Sequence, residues 1–401
     1  MNRVLLAFSG GLDTTYCARY LAVDHGMEVH TVVVNTGGFS ADELDRIAAR
    51  AHACGVASHT AVDCTQELYD RVLRYCIAGN VLKNATYPLS VSAERIVQAT
   101  AIAQHALKIG ATHLAHGSTG AGNDQVRFDV VFRILCPDLP VLTPIRDQQL
   151  SRADEIAYVT QHGVEGEWTK AAYSINQGLW GTSVGGRETL TSNEPLPESA
   201  WPSSALPMPA ATDSERIVVR FEAGHPVAVN GARMNPVDAI RLLNERGSYW
   251  RIGRDMHVGD TIIGIKGRVA FEAPAAMMII KAHHLLEKHT LTKWQLMFKD
   301  QYALWYGQLL HEGNALEPAM RDIEAFLESS QRHVTGDVII RCTLGSFLLE
   351  GIESANDLMR SSVATYGEEQ KAWTGQDVRG FARIAAMQTT VWHGVHGEDA
   401  Q

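Results

Sequence analysis

Several features are missing from this 401-residue chain, and each absence removes a class of protein. No stretch approaches the ~20 uninterrupted apolar residues that a bilayer-spanning helix needs, so no membrane partner is expected. The six cysteines (Cys17, Cys54, Cys64, Cys76, Cys136 and Cys342) contain no C-x-x-C and no Cys/His ligand spacing. They read as reduced, mostly buried thiols, against a disulfide framework or a zinc site, and no dedicated metal site is expected. Positive charge is not in excess: the formal net charge is −10, which argues against bulk nucleic-acid binding. Neither the phosphate-loop string G-x-x-x-x-G-K-[ST] nor the dinucleotide string G-x-G-x-x-G occurs. No signal-peptide pattern precedes the first strand, and the expectation is a cytoplasmic protein. There is no internal repeat and no low-complexity block.

What is present is an ordinary soluble composition, 45% hydrophobic and 20% charged, in a chain long enough for two to three domains. The first third alternates strand and helix: VLLAF, a helix from Thr14 to about His25, MEVHTVVVN, then SADELDRIAARAHACG. In the last of these, Ser40 and Glu43 form a capping box. Leu44, Ile47, Ala48 and Ala51 make an apolar stripe that stops at Gly55. ASHTAVD, a helix over 65–80, a long helix from Ser92 to Gly110, THLAHG, a helix over 124–135 and PVLTPI continue the pattern. Such alternation predicts an α/β domain, a parallel sheet with helices on both faces and ligands at the carboxyl ends of its strands. Residues 186–215 are rich in Pro and Ser and read as a long surface excursion. Hairpin-like strands around 216–231 and 337–351 flank mixed helices, an α+β arrangement. The tail from Asp377 carries an apolar stripe of Val378, Phe381, Ile384, Ala385 and Met387, suited to core or to a neighbouring subunit. The expected domains are 1–165, nucleotide-binding; 166–360, α+β substrate domain; and 361–401, oligomerisation tail.

Two loops carry the chemistry. After the first strand comes Ser9-Gly10-Gly11-Leu12-Asp13-Thr14-Thr15. Glycines there let the backbone approach a ligand closely, and amide N–H groups converge at a helix N-terminus, which suits phosphate. Asp13 is a poor neighbour for bare phosphate and points to a Mg²⁺ bridge or a positioned water. The string resembles the S-G-G-x-D-[ST] loop of the ATP pyrophosphatases, which cleave ATP between the α and β phosphates and adenylate a carbonyl oxygen. The second loop, HGSTGAGNDQVRF at 116–128, gathers His116, Ser118, Thr119, Asn123, Asp124, Gln125 and Arg127. Asp124 can pair with an ammonium group and Arg127 can clamp a carboxylate, a combination suited to amino-acid substrates.

AFSGGLDTT and HGSTGAGNDQVRF together closely resemble the argininosuccinate synthase family. YPLSVSAER at 87–95, YSINQGLWGTS at 173–183 and IGIKGRVAFEAP at 263–274 match in the same order, over about two-thirds of the chain. The resemblance implies that citrulline, aspartate and ATP give argininosuccinate, AMP and pyrophosphate, in arginine biosynthesis, with ATP and Mg²⁺ required and a homotetramer as the assembly. It implies an ATP site on Ala7, Phe8, Ser9, Gly10, Gly11, Leu12, Asp13, Thr14, Thr15, Val34 and Gly117, with Ser9, Asp13 and Thr14 closest to the chemistry. It implies a citrulline site on Tyr87, Ser92, Asn123, Arg127, Ser174 and Ser183, and an aspartate site on Thr119, Asn123 and Asp124. The family places a glutamate and a tyrosine on citrulline where this chain has Gly259 and Phe271. Asp260 and His257 are the candidates to replace the carboxylate. Two rivals remain: another adenylating ligase of the same loop class, including tRNA-modifying enzymes, and an ATP-binding sensor without turnover.

Overall fold

The computed structural model describes residues 2–120, 122–164, 166, 168, 173–364, 366, 367 and 371–397. Of the expected domain limits, residue 165 and the final residues 398–401 lie outside the described residues. The first part of the chain builds five parallel strands, β1 (Arg3–Ala7), β2 (Glu28–Asn35), β3 (Ser58–Asp63), β4 (His113–Ala115) and β5 (Val141–Leu142), in the order β3-β2-β1-β4-β5. Its helices are α1 (Leu12–Val23), α2 (Ala41–Ala53), α3 (Thr65–Leu68), α4 (Arg74–Ala78), α5 (Ser90–Ile109), α6 (Asp124–Leu135), α7 (Pro144–Gln148) and α8 (Arg152–Gln161). Alternation along β1 sends Val4 and Leu6 into the core shared with α1, α2 and α8. Leu5 goes to the opposite face, toward α5 and α6. Both faces are therefore covered, as the strand–helix alternation predicts. The strand order reverses between β1 and β4, so the loops after these two strands flank the topological switch point where such sheets bind ligands.

Local signals explain most boundaries. Ser40 Oγ accepts from the Glu43 N–H at 3.3 Å while the Glu43 carboxylate accepts from the Ser40 N–H at 2.8 Å, the capping box read from the sequence. Several boundaries differ, beginning with α1, which runs Leu12–Val23 where the sequence predicts Thr14 to about His25. The expected helix over 65–80 is interrupted by a π turn at Tyr69–Leu73, which brings Tyr69, Val72 and Leu73 all into the core. Helix α5 starts at Ser90 because Leu89 is held in the left-handed region at φ 59°.

The second part contains two antiparallel sheets. β6 (Tyr173–Gly178), β7 (Gly181–Gly186), β11 (Arg254–Asp260) and β12 (Lys266–Glu272) form one, in the order β11-β12-β7-β6. The other, β10-β9-β8-β13-β14, is built from β8 (Glu215–Glu222), β9 (His225–Val229), β10 (Ala232–Arg233), β13 (Gly336–Thr343) and β14 (Ser346–Glu353). Between and beside them run α9 (Pro236–Tyr249), α10 (Pro274–Thr290), α11 (Lys293–His311) and α12 (Pro318–Ser330). The chain closes with α13 (Gly375–Ala385) and α14 (Met387–His396), whose apolar side chains are exposed in the single chain.

The 186–215 segment has more structure than its composition suggests. It runs over the surface, most of its residues exposed, and is anchored there: short 3-10 turns at Arg187–Leu190, Glu198–Ala200 and Pro202–Ala205 bury Leu196 and Ala200 against Val184 and Ala270. Arg254 fastens it, donating to Ser203 Oγ at 2.7 Å, Glu198 at 2.9 Å and Glu272 at 3.0 Å. Val184 and Ala270 pair directly, as do Ser183 and Phe271. Successive strand residues face opposite ways, so the cover occupies one face and Ser183 and Phe271 look out from the other. The segment therefore covers the face opposite Ser183 and Phe271.

Candidate active site

The loop after β1 is a short bridge into α1. Gly10 sits at φ 75°, a conformation that a residue with a Cβ adopts only with strain, and a Cβ there would meet Ile47 Cγ1 at 3.0 Å. Arg50 donates to the Gly10 carbonyl at 2.5 Å, Thr14 and Thr15 hydroxyls donate to the Gly11 carbonyl at 3.2 and 2.7 Å, and Ser9 Oγ lies 3.4 Å from Thr14 Oγ1. The carbonyls are thus turned inward, and no side chain caps the first amides of α1, which leaves this helix end to a ligand. Ala7 ends the strand, while Phe8 and Leu12 are buried and anchor the two ends of the loop. Val34 lies beside it on β2, its carbonyl accepting from Gln98 Nε2 at 3.4 Å.

Gly117 joins the second loop to the first. A Cβ at Gly117 would stand 3.2 Å from Asp13 C, Thr14 N and Thr14 Cγ2, so the two backbones touch only because residue 117 has no side chain. His116 is not a ligand-facing group. Its ring is buried, with Nε2 3.0 Å from Asp129 and Nδ1 accepting from the Ser118 N–H at 3.2 Å, and it props the loop from below. Gln125 does the same by donating to the Gly120 carbonyl at 2.5 Å. Thr119 lies exposed on the loop.

At the start of α6 the charges are already matched. Asp124 accepts from Arg95 Nε at 2.8 Å and from Arg127 Nη1 at 3.0 Å. Burial alone would raise the Asp124 carboxyl, but Arg95 and Arg127 hold it below the ordinary carboxylate value. Arg127 further donates to the His311 carbonyl from Nε at 3.0 Å and from Nη2 at 2.9 Å, at the C-terminal end of α11 where helix carbonyls favour a cation. The guanidinium thus fastens α11 to α6 through the His311 carbonyl and Asp124. Asn123 Oδ1 accepts from the Ile262 N–H at 2.9 Å, tying the β11–β12 hairpin to the same loop.

Tyr87 is set by a strained segment. Asn84, Ala85 and Leu89 all have positive φ, and Trp180 Nε1 donates to the Pro88 carbonyl at 3.0 Å. The tyrosine hydroxyl lies 3.1 Å from Ser90 Oγ and accepts from the Val91 N–H at 3.2 Å, and its ring packs on His257 and Phe271. Ser92 is buried one turn into α5. Ser174 and Ser183 share the open sheet face with Phe271, and so does Asn176, which accepts from Arg95 Nη2 at 3.0 Å. Asp260 is at the rim, its side chain 62% exposed and 2.7 Å from Lys266.

Four contributors escaped the sequence reading: Arg95, Asn176, Glu94 and Glu155. Arg95 and Glu94 lie inside the YPLSVSAER motif, and Arg95 stands three residues after Ser92, the helical spacing that could have pointed to it. The Glu94 carboxylate is buried against Gly178, and burial pushes it up to about 8. Glu155 of α8 is buried beside Asp13, with one carboxylate oxygen lacking a partner among the described residues; burial and the Asp13 charge push it up to about 8. The folded chain thus keeps a proton on Glu155 that the unfolded chain releases near pH 4. Stability falls as pH rises from about 4 through 8 on this account. Glu155→Gln is expected to match the parent melting temperature at pH 4 and to exceed it by a few degrees at pH 9. A difference that does not grow with pH would count against the pairing.

A doubly wound sheet, with a phosphate-shaped loop at its switch point and an antiparallel sheet facing it, defines a nucleotide-binding enzyme with a separate substrate wall. Residues 3–165 match the profile described as the arginosuccinate synthase N-terminal HUP domain, and residues 173–392 match the arginosuccinate synthase C-terminal domain. The chain belongs to the argininosuccinate synthase family. It is 35% identical to the argininosuccinate synthase of Pyrobaculum aerophilum over 96% of this chain and 97% of that protein. The corresponding protein of Pyrococcus furiosus is 34% identical over 98% and 96%. That of Xanthomonas campestris pv. campestris is 35% identical over 97% and 98%.

Proposed function

We propose that the chain is an AMP-forming C–N ligase that joins citrulline to aspartate with ATP, releasing argininosuccinate, AMP and pyrophosphate. The observation that carries this reading is the contact of Gly117 with Asp13 and Thr14 at the switch point, with the Ser174, Ser183 and Phe271 face opposite. The citrulline ureido oxygen attacks the α-phosphorus of ATP, the bond to the bridging oxygen breaks, and pyrophosphate leaves with the electron pair. The aspartate amine then bonds to the ureido carbon, the carbon–oxygen bond to AMP breaks, and the amine proton passes to a phosphate oxygen or water. Such chemistry needs positioning and charge stabilisation, not a protein nucleophile.

In this reading the amides of Gly10 to Asp13, with the Ser9, Thr14 and Thr15 hydroxyls, receive the β and γ phosphates, and Ala7, Phe8, Val34 and Gly117 line the nucleoside side. Tyr87, Ser92, Asn123, Ser174 and Ser183 orient citrulline. Arg127 acts on its carboxylate chiefly by charge, since the guanidinium contacts are largely taken. Thr119, Asn123 and Asp124 serve aspartate. Mg²⁺ would arrive as the ion that ATP brings. Asp13 beside the buried, partly unpartnered Glu155 is the acidic donor that would meet it. When bound, Mg²⁺ supplies positive charge against the pyrophosphate that develops.

Pyrophosphate and AMP release, with citrulline and aspartate each present or omitted, tests the reading. Release that needs both supports it; release with neither, or only with another acceptor, overturns it. A cytosolic setting and a homotetramer belong to the same reading, supported by six buried free thiols and by the exposed Phe381, Ile384, Val391 and Val395 of the C-terminal arm. Removal of residues 365–401 is expected to reduce the assembly to a smaller species in light scattering. An unchanged mass would show that the arm does not hold the copies together.

A further inference from the structure

Beneath the loop that meets the Ser9–Thr15 turn lies a chain of polar groups, each tied to the next. His116, 1% exposed, follows β4 and stacks on Phe128 of α6 with ring centroids 5.6 Å apart. Its Nδ1 lies 3.2 Å from the Ser118 backbone nitrogen and its Nε2 3.0 Å from Asp129 Oδ1. Arg146 of α7 donates from Nη1 to Asp129 Oδ2 at 2.9 Å and to Gln125 Oε1 at 3.2 Å. Gln125 Nε2 in turn donates to the Gly120 carbonyl. The backbone at Ser118 and Gly120 therefore hangs from one network fixed to α6 and α7. Burial alone would raise the Asp129 carboxyl, but His116 and Arg146 hold it below the ordinary carboxylate value.

The roles of the two ring nitrogens follow from their partners. A backbone N–H can only donate, so Nδ1 must present its lone pair to Ser118. The ring proton is then on Nε2, where the Asp129 carboxylate accepts it, and the imidazole is held in that one tautomer. Arg146 also can only donate, and it occupies Asp129 Oδ2, which leaves Oδ1 for the ring. The Ser118 N–H belongs to the peptide that joins Gly117 to Ser118. That unit is planar and trans, so with its N–H aimed at the ring its carbonyl points away from it. On the far side of Gly117 a Cβ would stand 3.2 Å from Asp13 C and Thr14 N. A turn of this peptide therefore presses on the backbone of the first loop.

We propose that Asp129, pinned by Arg146, is a positioning residue for the nucleotide: by accepting the His116 Nε2 proton it keeps Nδ1 open to Ser118 and fixes the Gly117–Ser118 peptide against which ATP binds. This rests on the ligase reading above, in which Gly117 lines the nucleoside side. The test measures the Kd for ATP by calorimetry, and kcat and the KM for ATP by pyrophosphate release with citrulline and aspartate, in the full chain. In Asp129→Asn, Arg146 takes the one amide oxygen and the amide NH2 turns to Nε2. The ring proton then moves to Nδ1, where it faces the Ser118 N–H. Kd and KM for ATP should both rise about tenfold, with kcat within about threefold of the parent. Adding Arg146→Met to that variant frees the amide to turn its oxygen to the Nε2 proton. Most of the ATP affinity should return, although a further contact has been removed. His116→Asn, whose amide oxygen can reach the Nδ1 position, should bind ATP about threefold or more tighter than His116→Gln, whose amide reaches only the Nε2 position. Both variants lose the same ring packing on Phe128. Parent-like ATP affinity in Asp129→Asn, a double variant weaker than the single one, or equal affinities in the two His116 variants overturns the proposal and leaves the ligase reading standing. A parent protein that binds ATP and follows the expected order of Kd values, yet releases no pyrophosphate with citrulline and aspartate, overturns the ligase reading alone.

Discussion

Gly117→Val is expected to lower kcat/KM for ATP by about 10²-fold while changing the melting temperature by only a few degrees. The side chain has nowhere to go: its Cβ alone would lie 3.2 Å from Asp13 C and Thr14 N, where the two loops meet. The loops must part by a few tenths of an ångström for alanine and by more for the branched valine. Displacement of about 1 Å in a positioning element costs on the order of 10²-fold in rate. Most of the core on either side of the sheet is untouched, because Gly117 lies beyond the end of β4, which is why stability should survive. Gly117→Ala should fall between the parent and the valine variant. Steady-state pyrophosphate release and calorimetric titration of ATP check this together. Parent-like activity in the valine variant would mean that ATP does not lie between these loops.

Asp124→Ala should be the most damaging single substitution, because it removes the shared partner of two arginines. Arg127 has only 4% of its side chain exposed and Arg95 14%, and neither can reach water easily once the carboxylate is gone. Breaking a fully buried pair costs about 3–5 kcal/mol and an exposed pair about 1 or less; a partly exposed Asp124 falls between, at about 2–3 kcal/mol. In a chain of 401 residues that lowers the melting temperature by roughly 2–4 °C, and kcat/KM for aspartate should fall by about 10³-fold. Asp124→Asn separates the two effects. It keeps the shape and an acceptor, so most of the stability should return while activity toward aspartate stays low. Recovery of both would make Asp124 structural only. The pH dependence has a definite sign: a carboxyl held below its unfolded value contributes fully above pH ~4 and loses that contribution as pH falls through the lowered value. The acid limb of the stability curve should therefore flatten in the asparagine variant.

The features legible in the sequence share a short range. The Ser9–Thr15 loop, the capping box at Ser40 and Glu43 and the helix over Asp124–Leu135 are set by residues within about one turn of each other, and the structure reproduces them. The strand–helix alternation also fixes two covered faces and points ligands at the strand ends. Gly10 and Gly117 could be picked out because a backbone that must approach closely tolerates no side chain. The family follows from the same motifs and their order.

Only the folded chain decided the rest, because each item depends on contacts between residues far apart in sequence. That α11 brings the His311 carbonyl, 184 residues on, to the Arg127 guanidinium could not be read from the segment around Arg127. Glu155 gives no sign from its own segment that it will be buried beside Asp13. The 186–215 stretch looks like loop by composition, yet a handful of apolar residues and the Arg254 contacts turn it into the cover of a sheet. His116 and Asp129 are both visible as single letters, but only the fold brings the ring and the carboxylate within 3.0 Å of each other. Local propensity and spacing thus determined the loop after β1 and the helix that follows it, while long-range packing decided which charges are already paired.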